Sequence, residues 1–82
     1  MNKDNLHEEM LKKISDLYYK FTNQNISTQI AGLELSTITS DQYLIFDEIY
    51  AHIGYEEELH HELQMLNIFG TSDLIEFTLK QI

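Results

Sequence analysis

The sequence has no cysteine, no proline and no arginine, and it has only three glycines. The lack of cysteine excludes disulfide bonds and thiolate zinc sites. No Gly/Ser-rich linker divides the chain, and no run of about eighteen apolar residues is long enough to span a membrane. The charged N-terminus lacks the apolar core of a signal peptide. We therefore expect one domain over residues 1–82, located in the cytoplasm.

Basic residues are also few, and they are unevenly placed. No lysine lies between Phe21 and Leu79. The first twenty residues carry equal numbers of lysines and acids, so the formal net charge of −9 belongs to residues 21–82. The acids between Phe21 and Leu79 are Glu34, Asp41, Asp47, Glu48, Glu56, Glu57, Glu58, Glu62, Asp73 and Glu76. A surface of this sign repels nucleic acid and anionic membrane and attracts basic protein surfaces.

The spacing of apolar residues is helical throughout and predicts an all-α fold. The first apolar stripe consists of Leu6, Met10, Ile14, Leu17 and Phe21, widened by Leu11 and Tyr18. Asp4 or Asn5 is suited to cap the start of this helix. Because neither Gly nor Pro occurs before Gly32, we expect the helix to continue to about Ala31 rather than break near Asn25. Its stripe either packs on the later helices or forms a homodimer.

A second helix is predicted after a short connection that follows Gly32. Thr39 and Gln42 fit a capping box, in which each side chain bonds to the backbone N–H of the other residue. Gly54 is expected to end this helix. The residues predicted to face inward are Tyr43, Ile45, Phe46, Ile49, Tyr50 and Ile53.

Two shorter helices complete the prediction. One spans about Glu56–Met65, with Leu59, Leu63 and Leu66 facing inward, and the turn Asn67–Gly70 follows it. Thr71 or Ser72 then caps the last helix. The sequence as a whole predicts a compact four-helix domain with a long N-terminal helix and a helix-turn-helix-like C-terminal pair.

The segment Leu35–Gly54 resembles part of the MarR-type transcription regulators. The residues that carry the likeness are Ile38-Thr39-Ser40-Asp41-Gln42-Tyr43-Leu44. The resemblance implies a long N-terminal dimerisation helix. It also implies a helix-turn-helix formed by Glu56–Met65, the turn Asn67–Gly70 and Ser72–Ile82.

This chain departs from the MarR pattern in its charge. The helix that would enter the major groove carries Asp73 and Glu76, with Lys80 as its single base. DNA affinity depends on lysines and arginines that neutralise phosphates. The chain also ends where the wing of that family would begin. We therefore expect a wingless, acidic relative without direct nucleic-acid binding.

A second resemblance is to the acyl carrier proteins, which are acidic four-helix domains of similar size. In that family a serine at the start of the second helix bears phosphopantetheine. The counterpart here is Thr39-Ser40-Asp41, in which the acid follows the serine instead of preceding it. As an alternative function, this resemblance implies a carrier protein in which Ser40 or Ser36 takes the prosthetic group.

Two overlapping Glu-x-x-His spacings occur in Glu57-Glu58-Leu59-His60-His61. Such a pair faces one side of a helix and can share a metal, but a zinc site needs about three ligands. We expect a solvated helix face and no metal. Neighbouring carboxylates favour protonated His60 and His61, which predicts a mild acid sensitivity of partner binding.

Enzyme chemistry finds no support in the sequence. There is no cysteine nucleophile and no glycine-rich phosphate loop. The serines fit helix caps or loops, and the carboxylates occur in charged runs. We expect neither catalysis nor a cofactor.

The favoured function is non-enzymatic protein binding. By analogy with small acidic proteins of phages and mobile elements, we expect an inhibitor or antirepressor that binds a basic, DNA-binding protein. The expected contact residues are Asp47, Glu48, Glu56, Glu57, Glu58 and Glu62. Spaced carboxylates of this kind can stand in for the phosphates of DNA. The remaining alternatives are the acyl-carrier-like protein and a dimeric helical adaptor without a link to nucleic acid.

Overall fold

The computed structural model describes residues 3–82, with side chains described from Asn5 onward. Its helices are α1 (Lys3–Thr22), α2 (Ile26–Ile30), a 3₁₀ turn (Leu35–Thr37), α3 (Ser40–Tyr55), α4 (Glu57–Met65) and α5 (Thr71–Gln81). Within residues 3–82 there is no strand, which confirms the predicted all-α fold. The long N-terminal helix is also confirmed.

The first helix is shorter than expected, because it ends at Thr22 and does not continue to Ala31. Asn23 has a φ of 58° and so adopts the left-handed conformation that stops a helix. The side chain of Asn25 then accepts a hydrogen bond of 3.0 Å from the Ser27 N–H and caps α2. The break therefore requires no glycine or proline, since Asn23 ends α1 and Asn25 caps α2.

The start of α1 also differs from the prediction. The helix already includes Lys3, so Asp4 and Asn5 lie inside its first turn rather than at its cap. At the other end of the α1–α2 segment, Gly32 has a φ of 79° and follows α2, as expected of a helix terminator.

The capping box of α3 is confirmed. The Gln42 N–H donates to Thr39 Oγ1 at 3.1 Å, and the Thr39 N–H donates to Gln42 Oε1 at 3.0 Å. The helix extends one residue beyond Gly54, to Tyr55. The prediction that Tyr43 faces inward is wrong: its side chain is 40% exposed, and its hydroxyl lies 3.4 Å from Ser72 Oγ.

Neither predicted side-chain cap of α5 is used. Gly70 occupies the N-cap position and provides no side chain. Instead, Asp73 Oδ2 reaches back and accepts a 2.9 Å hydrogen bond from the Phe69 N–H. Thr71 faces the interior, and Ser72 is exposed. The helix start is therefore stabilised by an acid in the first turn, which the helix dipole also favours.

The core lies where α1, α3 and α5 pack together. Its fully buried side chains include Met10, Ile14 and Tyr18 of α1, Phe46, Ile49 and Ile53 of α3, and Leu74 and Ile75 of α5. The rings of Tyr18 and Phe46 lie 5.8 Å apart. Burial raises the pKa of Tyr18 above its usual value of 10.0. The apolar stripe of α1 is thus mostly buried inside the domain, although Phe21 is 40% exposed and Leu11 is partly exposed.

The central helix is α3, because α1, α4 and α5 all pack against it. In α4 only Leu63 is buried, while Leu59 and Leu66 are partly buried against the core. Most of the surface of α4 therefore faces solvent. Of the helices described, none is long and apolar enough to cross a membrane.

Candidate functional site

Most of the predicted contact residues collect where α3 meets α4. A single residue, Glu56, lies between α3 and α4 and caps both helices, with the extended backbone angles φ −84° and ψ 123°. The chain therefore turns sharply at this residue, and the end of one acidic helix is joined to the start of another. We call the following residues the acidic corner: Glu48, Glu56, Glu57, Glu58 and Glu62.

The carboxylates of the acidic corner are largely unused by the fold. Among residues 5–82, whose side chains the structure describes, the side chains of Glu48, Glu56, Glu57 and Glu58 form no hydrogen bond or ion pair. All four residues are exposed. Their charge is consequently available to a second molecule.

Asp47, the sixth predicted contact residue, has a role inside the fold. Its Oδ1 accepts a hydrogen bond of 2.7 Å from the hydroxyl of Thr71. Thr71 is 8% exposed and opens α5, so this bond ties α3 to α5. The structure therefore separates Asp47 from the acidic corner, although the two adjoin in sequence.

One open depression lies between the end of α1 and the second half of α3. It has a volume of about 400 Å³ and is lined by Phe21, Glu48, Ala51, His52, Tyr55 and Glu56. The rings of Phe21 and His52 lie 6.0 Å apart. Tyr55 is 90% exposed, so an aromatic ring stands beside two carboxylates with little protein around it.

A larger depression lies between the start of α1 and α4, and we call it the α1–α4 groove. Its volume is about 730 Å³, and its lining residues are Leu6, Glu57, Glu58, His60, His61, Glu62 and Met65. Residues four apart on a helix share a face, which places Glu57 with His61 and Glu58 with Glu62. Leu6 and Met65 supply apolar surface between these polar side chains. Met65 is 51% exposed.

Electrostatic repulsion is concentrated at Glu62 in this groove. Partial burial raises the pKa of the Glu62 carboxyl above its usual value, and the nearby charges of Glu9 and Glu58 raise it further. Glu9 belongs to α1 and was not among the predicted contact residues. Sequence reasoning could not find it, because only the packing of α1 beside α4 brings Glu9 close to Glu62.

Both histidines of α4 line the α1–α4 groove, but only His60 has a side-chain hydrogen-bond partner among the described residues. His60 Nε2 lies 3.4 Å from the side-chain nitrogen of Gln64, and His61 lines the α1–α4 groove with it. Among the described residues, no group of three or more His, Cys, Asp or Glu side chains is arranged to hold a metal ion. The paired Glu-x-x-His spacings thus lie on α4 without a third ligand beside them.

The exposed face of α5 has little positive charge. Its exposed residues include Ser72, Glu76 and Lys80, while Thr71, Leu74, Ile75 and Thr78 are buried. This is the helix that the MarR resemblance would place in a DNA groove. The surface of α5 offers one basic residue for phosphate contacts, Lys80, and the acid Glu76 lies one turn before it.

The two serines considered for a prosthetic group are both exposed. Ser40 is the first residue of α3, and Ser36 lies in the 3₁₀ turn before it. Asp41 follows Ser40 in the first turn of the helix. The carrier alternative stays a prediction on this geometry.

Comparison of the chain with protein-family models, with curated proteins and with solved structures finds no match.

Proposed function

We propose that this chain is a non-enzymatic protein-binding domain that inhibits a basic, DNA-binding protein by covering its basic surface with the acidic corner. The observation that carries the proposal is the set of exposed carboxylates at the α3–α4 junction that no described residue pairs with. Glu48 and Glu56 line the depression beside Tyr55, and Glu57, Glu58 and Glu62 line the α1–α4 groove, so the two sets of charges adjoin at the α3–α4 junction.

Physical reasons favour a basic protein as the ligand. Like charges repel DNA and anionic lipid, whereas clustered carboxylates attract lysine and arginine and accelerate encounter with them. Because Glu48, Glu56, Glu57 and Glu58 have no partners among the described side chains, binding does not have to break any bond seen there. Carboxylates spaced along α3 and α4 substitute for phosphates and compete with DNA for the same basic residues.

The proposal predicts a strong dependence of partner binding on salt. The tagged chain is immobilised, exposed to lysate of its source cell and eluted with a salt gradient. A basic protein held by the acidic corner leaves the column at moderate salt, because salt screens exposed charges. The combined change Glu56/Glu57/Glu58→Gln is expected to weaken its binding by about tenfold or more.

A matched variant distinguishes the effect of losing charge at the acidic corner from the effect of lowering the net charge of the whole domain. Glu8→Gln, Asp41→Asn and Glu76→Gln together remove the same number of charges from exposed sites elsewhere. This control is expected to retain the partner. The native chain is expected to displace labelled DNA from the partner, whereas the Glu56/Glu57/Glu58→Gln variant is not. The proposal fails if both variants elute alike, or if the partner remains bound at high salt.

A further inference from the structure

The α1–α4 groove differs from the rest of the acidic surface because it combines charge with an apolar floor. Leu6 is almost buried at 6% exposure, and Met65 beside it is 51% exposed. A phosphate mimic has no use for such a floor, since DNA phosphates bring only charge and hydrogen-bond acceptors. An apolar floor contributes to binding only when the partner brings an apolar side chain to cover it.

The rim of the groove has one sign of charge. Glu57 and Glu58 stand on it without internal partners, and Glu62 lies near both Glu58 and Glu9. A cation placed between these carboxylates would relieve their repulsion. The groove therefore favours a ligand that is basic at its edges.

The size of the groove suits a single helical segment of a partner. A volume of about 730 Å³ is comparable to that of small-ligand pockets, which range over roughly 300–1,000 Å³. It accommodates a few side chains from one face of a helix.

We infer that the α1–α4 groove binds one amphipathic basic helix of the partner, with an apolar side chain against Leu6 and Met65 and lysine or arginine beside Glu57, Glu58 and Glu62. This inference rests on the proposed function and specifies the partner's chemistry. Helix-in-groove recognition of this type uses apolar anchors three or four residues apart on the bound helix. The acidic rim selects which amphipathic helices enter.

The test uses a synthetic alanine-based helical peptide of about 15 residues, long enough to form helix in part. It carries two leucines four residues apart, flanked by lysines. One control peptide replaces the leucines by alanine, and a second replaces the lysines by glutamine. Affinity is measured by fluorescence anisotropy at low and moderate salt, and the site is located from amide chemical shifts of the full chain.

We expect the leucine–lysine peptide to bind most tightly and to shift the amides of α4 and of Leu6. Met65→Gln is expected to weaken its binding by about tenfold, as for an anchor residue at the centre of an interface. The matched control is Leu44→Gln, because Leu44 is also exposed, at 61%, but lies on α3 away from the groove. That control is expected to leave affinity unchanged. Both substituted side chains are exposed, so neither change should unfold the domain.

The inference is overturned if the alanine peptide binds as tightly as the leucine peptide, or if Met65→Gln has no effect. The inference also fails if no peptide binds while the immobilised chain still captures a basic protein through Glu56, Glu57 and Glu58. In each of these outcomes the groove is misassigned, and the proposed function stands where the immobilised chain still captures a basic protein through Glu56, Glu57 and Glu58. If neither peptide binding nor lysate binding depends on the acidic corner, both proposals fail.

Discussion

Two acidic regions of this domain use their carboxylates in opposite ways. At the start of α5, Asp47 of α3 accepts a hydrogen bond from Thr71, and Asp73 accepts one from the Phe69 N–H. At the acidic corner, the exposed glutamates have no such partners in the described chain, and Glu62 is repelled by its neighbours. Acidic composition alone therefore does not identify a binding surface. What distinguishes the two regions is whether the fold itself supplies donors.

Among the changes that test this comparison, the largest loss of stability is expected when the Asp47–Thr71 hydrogen bond is removed. Thr71→Val keeps the volume of a buried side chain but removes the donor. It should lower the free energy of unfolding by about 1–2 kcal/mol, near the lower end for a hydrogen bond to a charged group, because Asp47 is exposed to solvent. Chemical denaturation measures this difference. Combining Thr71→Val with Asp47→Ala should cost less than the sum of the single changes, because both remove the same bond.

The matched control is Asp41→Asn on the same helix, where the acid is exposed and accepts no hydrogen bond from described residues. It should change stability far less than Asp47→Ala. Additive losses in the double variant would show that the Asp47–Thr71 bond contributes nothing of its own.

A smaller loss is expected at the start of α5. Asp73→Ala removes the acceptor of the Phe69 N–H and an acid from the first turn, and it should lower the free energy of unfolding by about 1 kcal/mol. Glu76→Ala, an exposed site one turn later, is the comparison variant. Equal stability of the two variants would contradict the assigned role of Asp73 as the group that stabilises this helix end.

The smallest effect, with the opposite sign, is expected at Glu62. Its raised pKa means that the folded state disfavours the charged form, so Glu62→Gln should raise the Tm at neutral pH. The gain should fade as the pH falls through this raised pKa and vanish below the ordinary value of 4.5, where the glutamate is protonated in both states. Thermal melts of both proteins at several pH values test this, and a gain that grows on acidification would refute it.

Local signals in the sequence were sufficient for much of the fold. The Thr39–Gln42 capping box and the turn Asn67–Gly70 are set by residues within a few positions of each other, and both are found in the structure. The prediction that α1 continues to Ala31 is wrong because neither Gly nor Pro marks the break after Thr22. Asn23 and Asn25 carry that signal, since asparagine tolerates positive φ and caps helices.

The candidate surface was less accessible to sequence reasoning. The glutamates around the α3–α4 junction could be predicted as a group because they are close in the chain. The contribution of Glu9, the apolar floor of Leu6 and Met65, and the use of Asp47 inside the fold all depend on which helices pack together. Contacts across such sequence separations leave no periodic pattern from which to predict them.

The shallow burial of α4 has a consequence for motion. Since Leu63 is its single buried residue, separating α4 from α3 exposes far less apolar surface than unfolding the whole domain. Segments held by few buried contacts open locally at a lower free energy than the core. The acidic corner is therefore carried in part by a helix with a single fully buried side chain. A partner that binds both α1 and α4 would stabilise α4 against local opening, because it binds the closed form and not the open one.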